Sequence, residues 1–326
     1  MAIDVGQRPA FDGEPIPDPC KPQPVLSATL IVIAAASAAA ALATVGVSQP
    51  DQAVQYSRLP EYGIWATLMI GLVGVSVAGG IYSWPTWREL HGRSSQRERL
   101  VSYVLAFFIV LVYDASPELV GRAYLQRSSP PIPYEVPREI GFILLIGFAA
   151  LPAAGALVLA GLQLSRRTRP WNVAGGVIIA ELLRIRVQLQ RLLTVLALVI
   201  GGNVLTIGAM RNAVTAYEAT QHEVRQLQSI PDELLLVYGM SMTGLLALVY
   251  IPTYLAWQTR AAEQCDRLYP LPPDGRAGHD WYIGRSDLEG LLGLKASVGV
   301  VFTTGLGLIA PFASSLVSAI LNSSAS

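Results

Sequence analysis

SDLEGLLGLKASVGVVFTTGLGLIAPFASSLVSAIL, residues 286–321, opens like a helix and then carries its own interruption. Ser286 with Glu289 three residues on has the spacing of a capping box, in which each side chain satisfies the other residue's backbone N–H. Asp287 adds negative charge where the helix dipole is positive. A helix is therefore predicted to start at Ser286. Farther on, Thr303-Thr304-Gly305-Leu306-Gly307 and then Pro311 replace helix formers with two glycines and a residue that has no N–H to donate. The stretch reads as a span-length apolar segment interrupted near 303–311.

Working outward, the same apolar character recurs. Of 326 residues, 52% are hydrophobic and 14% charged, and the charges are kept out of several runs of about twenty residues, the length that crosses a bilayer core. The runs lie near 25–47, 62–84, 101–121, 140–164, 192–210 and 234–257. With 287–321 they predict an all-α polytopic membrane protein, a bundle of about seven transmembrane helices. Residues 1–24, rich in proline and acidic groups, read as a disordered cytoplasmic tail, and 322–326 as a short tail. After the RRTRP corner, Val177 to Arg191 runs without a breaker into the fifth span from a start at Gly175-Gly176. Gln258 to Tyr269 continues the sixth span past Pro252. Both predict helical extensions into the cytoplasm, whereas Arg211 to Ile230 reads as a separate short helix outside.

Orientation follows from Lys and Arg, because acidic residues contribute little to that rule. Arg88, Arg93, Arg97 and Arg99 follow the second span, Arg184, Arg186 and Arg191 are among those after the fourth, and Arg260, Arg267, Arg276 and Arg285 follow the sixth. The alternate loops hold fewer: Arg58, then Arg122, Arg127 and Arg138, then Arg211 and Arg225. The amino terminus is accordingly expected in the cytoplasm. Arginine far outnumbers lysine, which occurs only at 21 and 295, and alanine is abundant. A bacterial inner membrane is the expected setting, with the lipid bilayer as partner, a homo-oligomer open, and no nucleic acid.

The usual chemistries find few residues. His91, His222 and His279 sit in different loops, Cys20 and Cys265 have no partner ligands at metal spacing, and no glycine-rich phosphate loop follows a strand. No catalytic, cofactor-binding or metal residue is expected, and the chain does not read as an enzyme. Glycines 71, 74, 79 and 80 with Ser76 give the second span a small face for helix packing, and Asn203 places an amide in the fifth span, suited to an interhelical hydrogen bond.

Two features point to permeation. Asp114, Glu118 and Arg122 recur at steps of four, so they share a helix face near one membrane surface. Thr303 to Gly307 has a Thr-x-Gly-x-Gly spacing that resembles potassium-channel filters, whose backbone carbonyls replace the ion's water. The resemblance covers five residues, has Leu306 at the aromatic position, and is followed by only residues 308–321. Thr303, Thr304, Gly305, Gly307, Asp114 and Glu118 are thus the candidate lining of a passive channel or simple carrier for ions or small solutes. The alternative is a non-conducting sensor or assembly subunit acting through its cytoplasmic helices.

Overall fold

A computed structural model describes residues 58–125, 135–165, 175–220, 232–272 and 276–294, with isolated helical positions at 29, 30, 33, 34 and 37. Every regular element in the five longer stretches is an α-helix: α1 Pro60–Arg93, α2 Gln96–Leu125, α3 Glu135–Ser165, α4 Gly175–Thr220, α5 Asp232–Leu268 and α6 His279–Leu292. Three stretches, Pro60–Arg93, Gly176–Tyr217 and Leu236–Leu268, are long and apolar enough to cross a membrane. Such helices mark a membrane-embedded protein.

Long α3 touches α1, α2, α4 and α5, while α1 also lies along α4, and α6 rests on α5 and α4. The core between them is apolar, with Val73, Leu157, Leu159, Leu189, Val204, Tyr250 and Trp257 all buried. Small residues let the backbones close in. A Cβ on Gly80 would collide with the backbone carbonyl of Ala149 on α3, and one on Gly79 would lie 2.6 Å from Val195 on α4. The small face of α1 is therefore used at Gly79 and Gly80, whereas Gly71 has nothing within 4 Å. The Asn203 amide donates to the Tyr238 hydroxyl at 2.8 Å, the interhelical bond expected of it.

Several sequence-based boundaries change. Ser286 does not start a helix: α6 begins seven residues earlier at His279, behind Gly278, and closes at Leu292. Its end is a Schellman cap, in which Gly293 N–H donates to Gly290 and Leu294 N–H to Glu289, with Gly293 left-handed at φ 69°. The capping box is real elsewhere. Ser95 N–H donates to the Glu98 carboxylate at 2.9 Å and Glu98 N–H to the Ser95 hydroxyl at 3.5 Å, opening α2 directly after α1 ends. The polar stretch after Arg211 is no separate helix as far as Thr220, because α4 runs through it for 46 residues. The third apolar run, expected near 101–121, lies within α2, which carries it to Leu125. At 1.5 Å per residue α4 is about 70 Å long, well beyond a hydrocarbon core of about 30 Å. It starts at Gly175 and α5 reaches Leu268, so both expected helical extensions are present. The described residues hold six helices in place of a complete seven-span bundle.

Candidate functional site

The permeation residues are not brought together in what is described. Thr303, Thr304, Gly305 and Gly307 lie outside the described residues, as do the interruption near 303–311 and Pro311. Asp114 and Glu118 fall on α2, where only the backbone is described.

Polar chemistry gathers instead where the arginine-rich helix ends meet. The end of α1, the start of α2, the end of α3, the start of α4, the end of α5 and all of α6 come together there. The opposite end is a small apolar cluster of Ala213 and Tyr217 with Leu59 and Tyr62. This is what antiparallel neighbours with basic loops on alternate sides should produce.

Glu89 is the first hub. Spaced four residues from Arg93, it pairs with it at 3.0 Å within α1, and it also takes Arg184 of α4. Arg93 in turn reaches Glu181. The side chains alternate in sign across the α1–α4 seam, and each is between a quarter and a half exposed, so the network is wet and modest in energy. Nearby, Gln163 of α3 donates at 2.9 Å to both the Leu90 carbonyl and the Ser94 hydroxyl, satisfying polar groups at the α1 terminus.

A second hub, built on a buried tryptophan, holds α6. Trp257 is fully buried and its indole N–H donates to the Leu182 carbonyl at 2.9 Å, joining α5 to α4. The Arg186 guanidinium lies 5.8 Å from that ring and donates at 2.9 Å to the Leu292 carbonyl, at the negative end of the α6 dipole. A Cβ on Gly293 would run into that guanidinium and displace it, and the left-handed φ itself favours glycine there. At the other side Arg285 of α6 bridges Asp266 of α5 at 2.7 Å and Glu289 at 2.8 Å, and lies 5.3 Å from the Trp281 ring. Hydrogen bonds that the guanidinium donates to Glu289 first and Asp266 second push its pKa up, so its charge is fixed across all working pH. The Glu289 side chain thus serves Arg285 and not the start of a helix.

Beside this hub a surface cleft of about 540 Å³ opens among Trp281, Tyr282, Ile283, Arg285 and Glu289. Among the described residues no group of three or more His, Cys, Asp or Glu side chains is placed to hold a metal ion. The junction can do what charged, hydrogen-bonded and aromatic groups do at a water boundary: fix helix ends and present a shaped surface.

Sequence reasoning missed Glu89, Arg186, Trp257 and Arg285 as a group. Part of the signal was there, since Glu89–Arg93 and Arg285–Glu289 are both four apart. Arg186–Leu292 and Trp257–Leu182 join residues far apart in sequence, and no local pattern announces them. Compared with known proteins, the chain matches no family model, no curated protein and no solved structure.

Proposed function

We propose that this chain is a multi-pass protein of a bacterial inner membrane whose arginine-rich end is cytoplasmic, and that it acts there as a non-conducting sensor or assembly subunit. The observation that carries this reading is the α6 hub. Arg186 holds the carboxyl end of α6 to α4, and Arg285 ties its middle to α5, so a short helix is presented on the ends of two long ones. The packing of α1, α3, α4 and α5 supports it too, because most of their buried positions are filled by hydrocarbon and aromatic side chains, with Ser76, Ser83, Thr206, Thr253 and Gln264 the polar ones among them. A homo-oligomer in the bilayer is compatible with such a role.

Permeation through Thr303, Thr304, Gly305 and Gly307, with Asp114 and Glu118 at the rim, is the competing reading. Reconstituted flux decides between them. Purified wild-type protein in liposomes should pass none of the common ions or small solutes. A flux abolished by Gly305→Leu and Thr304→Val, with the protein still monodisperse, would replace the sensor reading by the channel.

A further inference from the structure

Of the three arginines that lie over aromatic rings among the described residues, two are also held by oxygen. Arg186, over Trp257, donates to the Leu292 carbonyl, and Arg285, over Trp281, bridges Asp266 and Glu289. Arg191 of α4 is different. Its guanidinium lies 6.0 Å from the Tyr82 ring of α1, the residue is exposed, and among the described residues its side chain has no ion pair and no hydrogen bond.

The depth of Arg191 makes that lack costly. Glu89 and Arg184 pair across the α1–α4 seam where water reaches. Seven residues are two helical turns and return to the same face, so from that pair one such step along each helix leads to Tyr82 and Arg191, about 10 Å nearer the apolar bundle. The apolar run 192–210 starts at the next residue, and as a helix its 19 residues measure about 30 Å, the thickness of a hydrocarbon core. Arg191 therefore stands at the edge of the hydrocarbon. The seam's carboxylates are engaged elsewhere, Glu89 by Arg93 and Arg184, and Glu181 by Arg93. A cation at that depth needs an anion beside it.

We propose that Arg191 and Tyr82 form a binding site for the headgroup phosphate of an anionic phospholipid, in the leaflet at the arginine-rich end. Bilayer phosphates border the hydrocarbon already, whereas a carboxylate of another protein would have to be desolvated to arrive there. The guanidinium fork takes a phosphate through two parallel N–H groups while its face stays on the ring, which a lysine ammonium does not do. Beyond Arg191 the exposed stripe of α4 continues through Thr194 to Leu198, 58% exposed, an apolar wall for the lipid's tail. The proposal rests on the reading of α1 and α4 as membrane-spanning helices.

The test is competitive lipid binding by the full chain in mixed micelles, read by native mass spectrometry with phosphatidylglycerol and phosphatidylcholine offered in equal amounts. The wild type should retain phosphatidylglycerol in preference, and Arg191→Gln should lower that preference about fivefold, the effect of one basic residue at an anionic surface. Arg88→Gln, which removes an exposed arginine from another face of α1, should leave it unchanged. A wild type without preference would overturn the proposal. So would equal losses in the two variants, because diffuse charge and not a site would then be at work. Inorganic phosphate should fail to displace the lipid, and displacement would overturn the lipid assignment in favour of a free-anion site. Should Arg191→Gln not fold, Tyr82→Leu keeps the cation and removes the ring: a weakened preference is expected, and an unaltered one would also overturn the proposal. Leu198→Cys in a Cys20→Ser chain, with Cys265 fully buried, tests the spanning reading by itself. It should resist a membrane-impermeant maleimide in intact and in opened membranes. Resistance without lipid preference removes the site alone, whereas labelling removes the span and the site together.

Discussion

Halfway along α1 the chain gives up side chains so that other helices can come near, whereas about 15 Å farther on it reaches out with its longest ones. Gly79 and Gly80 meet Val195 and the Ala149 backbone directly, while Glu89 and Arg93 meet Arg184 and Glu181 through extended polar groups. The difference shows how a membrane bundle divides its labour. Where no water competes, closeness of fit decides, and added volume is the injury. Where water returns, charges and hydrogen bonds decide, and each is worth less because solvent can substitute. Trp257 and Arg186 stand at the boundary, one buried and one half-buried, and combine both kinds of contact.

The boundary should give the largest effect. Trp257→Ala removes a fully buried ring together with its hydrogen bond to the Leu182 carbonyl, which should cost about 3–5 kcal/mol, seen as a large fall in Tm of the purified protein. Trp257→Phe, keeping most of the ring, should cost much less. If the two variants melt alike, the hydrogen bond and not the packing is what matters there.

Next comes volume in the middle. Gly80→Leu should lower stability by about 1–3 kcal/mol or prevent folding, since it strikes backbone, while Gly71→Leu should be close to neutral. Equal damage at both would show that α1 is not packed by its small face.

Loosening α6 ranks third. Gly293→Ala forces a left-handed residue and a contact with Arg186, at about 1–2 kcal/mol, and should release α6 to limited proteolysis before the bundle melts. Unchanged protease resistance would mean that Arg186 does not hold the helix. The smallest effect belongs to the wet network: Glu89→Gln should cost about 1 kcal/mol or less, and less still in high salt.

Much of this was legible in the sequence, and the failures have physical causes. Apolar runs free of charge announced the long helices, and the alternation of arginines foretold that helix ends such as Arg93 and Arg184 would share one end. Asn203 needed a partner in an apolar setting, and Tyr238 supplies it. The start of α6 was misread because two Ser-x-x-Glu patterns exist. Ser95–Glu98 follows a helix end and so has free N–H groups to satisfy, whereas Ser286–Glu289 lies inside a helix already begun at His279. The polar stretch after Arg211 was misread because polarity does not stop a helix, and α4 meets no proline or glycine between Arg211 and Thr220. The junction escaped because its bonds run between residues such as Arg186 and Leu292, whose nearness is a property of packing alone.

The central claim, that the arginine-rich junction is the cytoplasmic end of a membrane bundle, is tested most directly by thiol accessibility in intact cells. Gln96 and Arg58 are exposed at opposite ends of α1, the first just beyond Arg93 and the second just before Pro60. A membrane-impermeant maleimide should label Arg58→Cys in intact cells and Gln96→Cys only after the membrane is opened. The reverse pattern, or equal labelling of both in intact cells, would contradict the account.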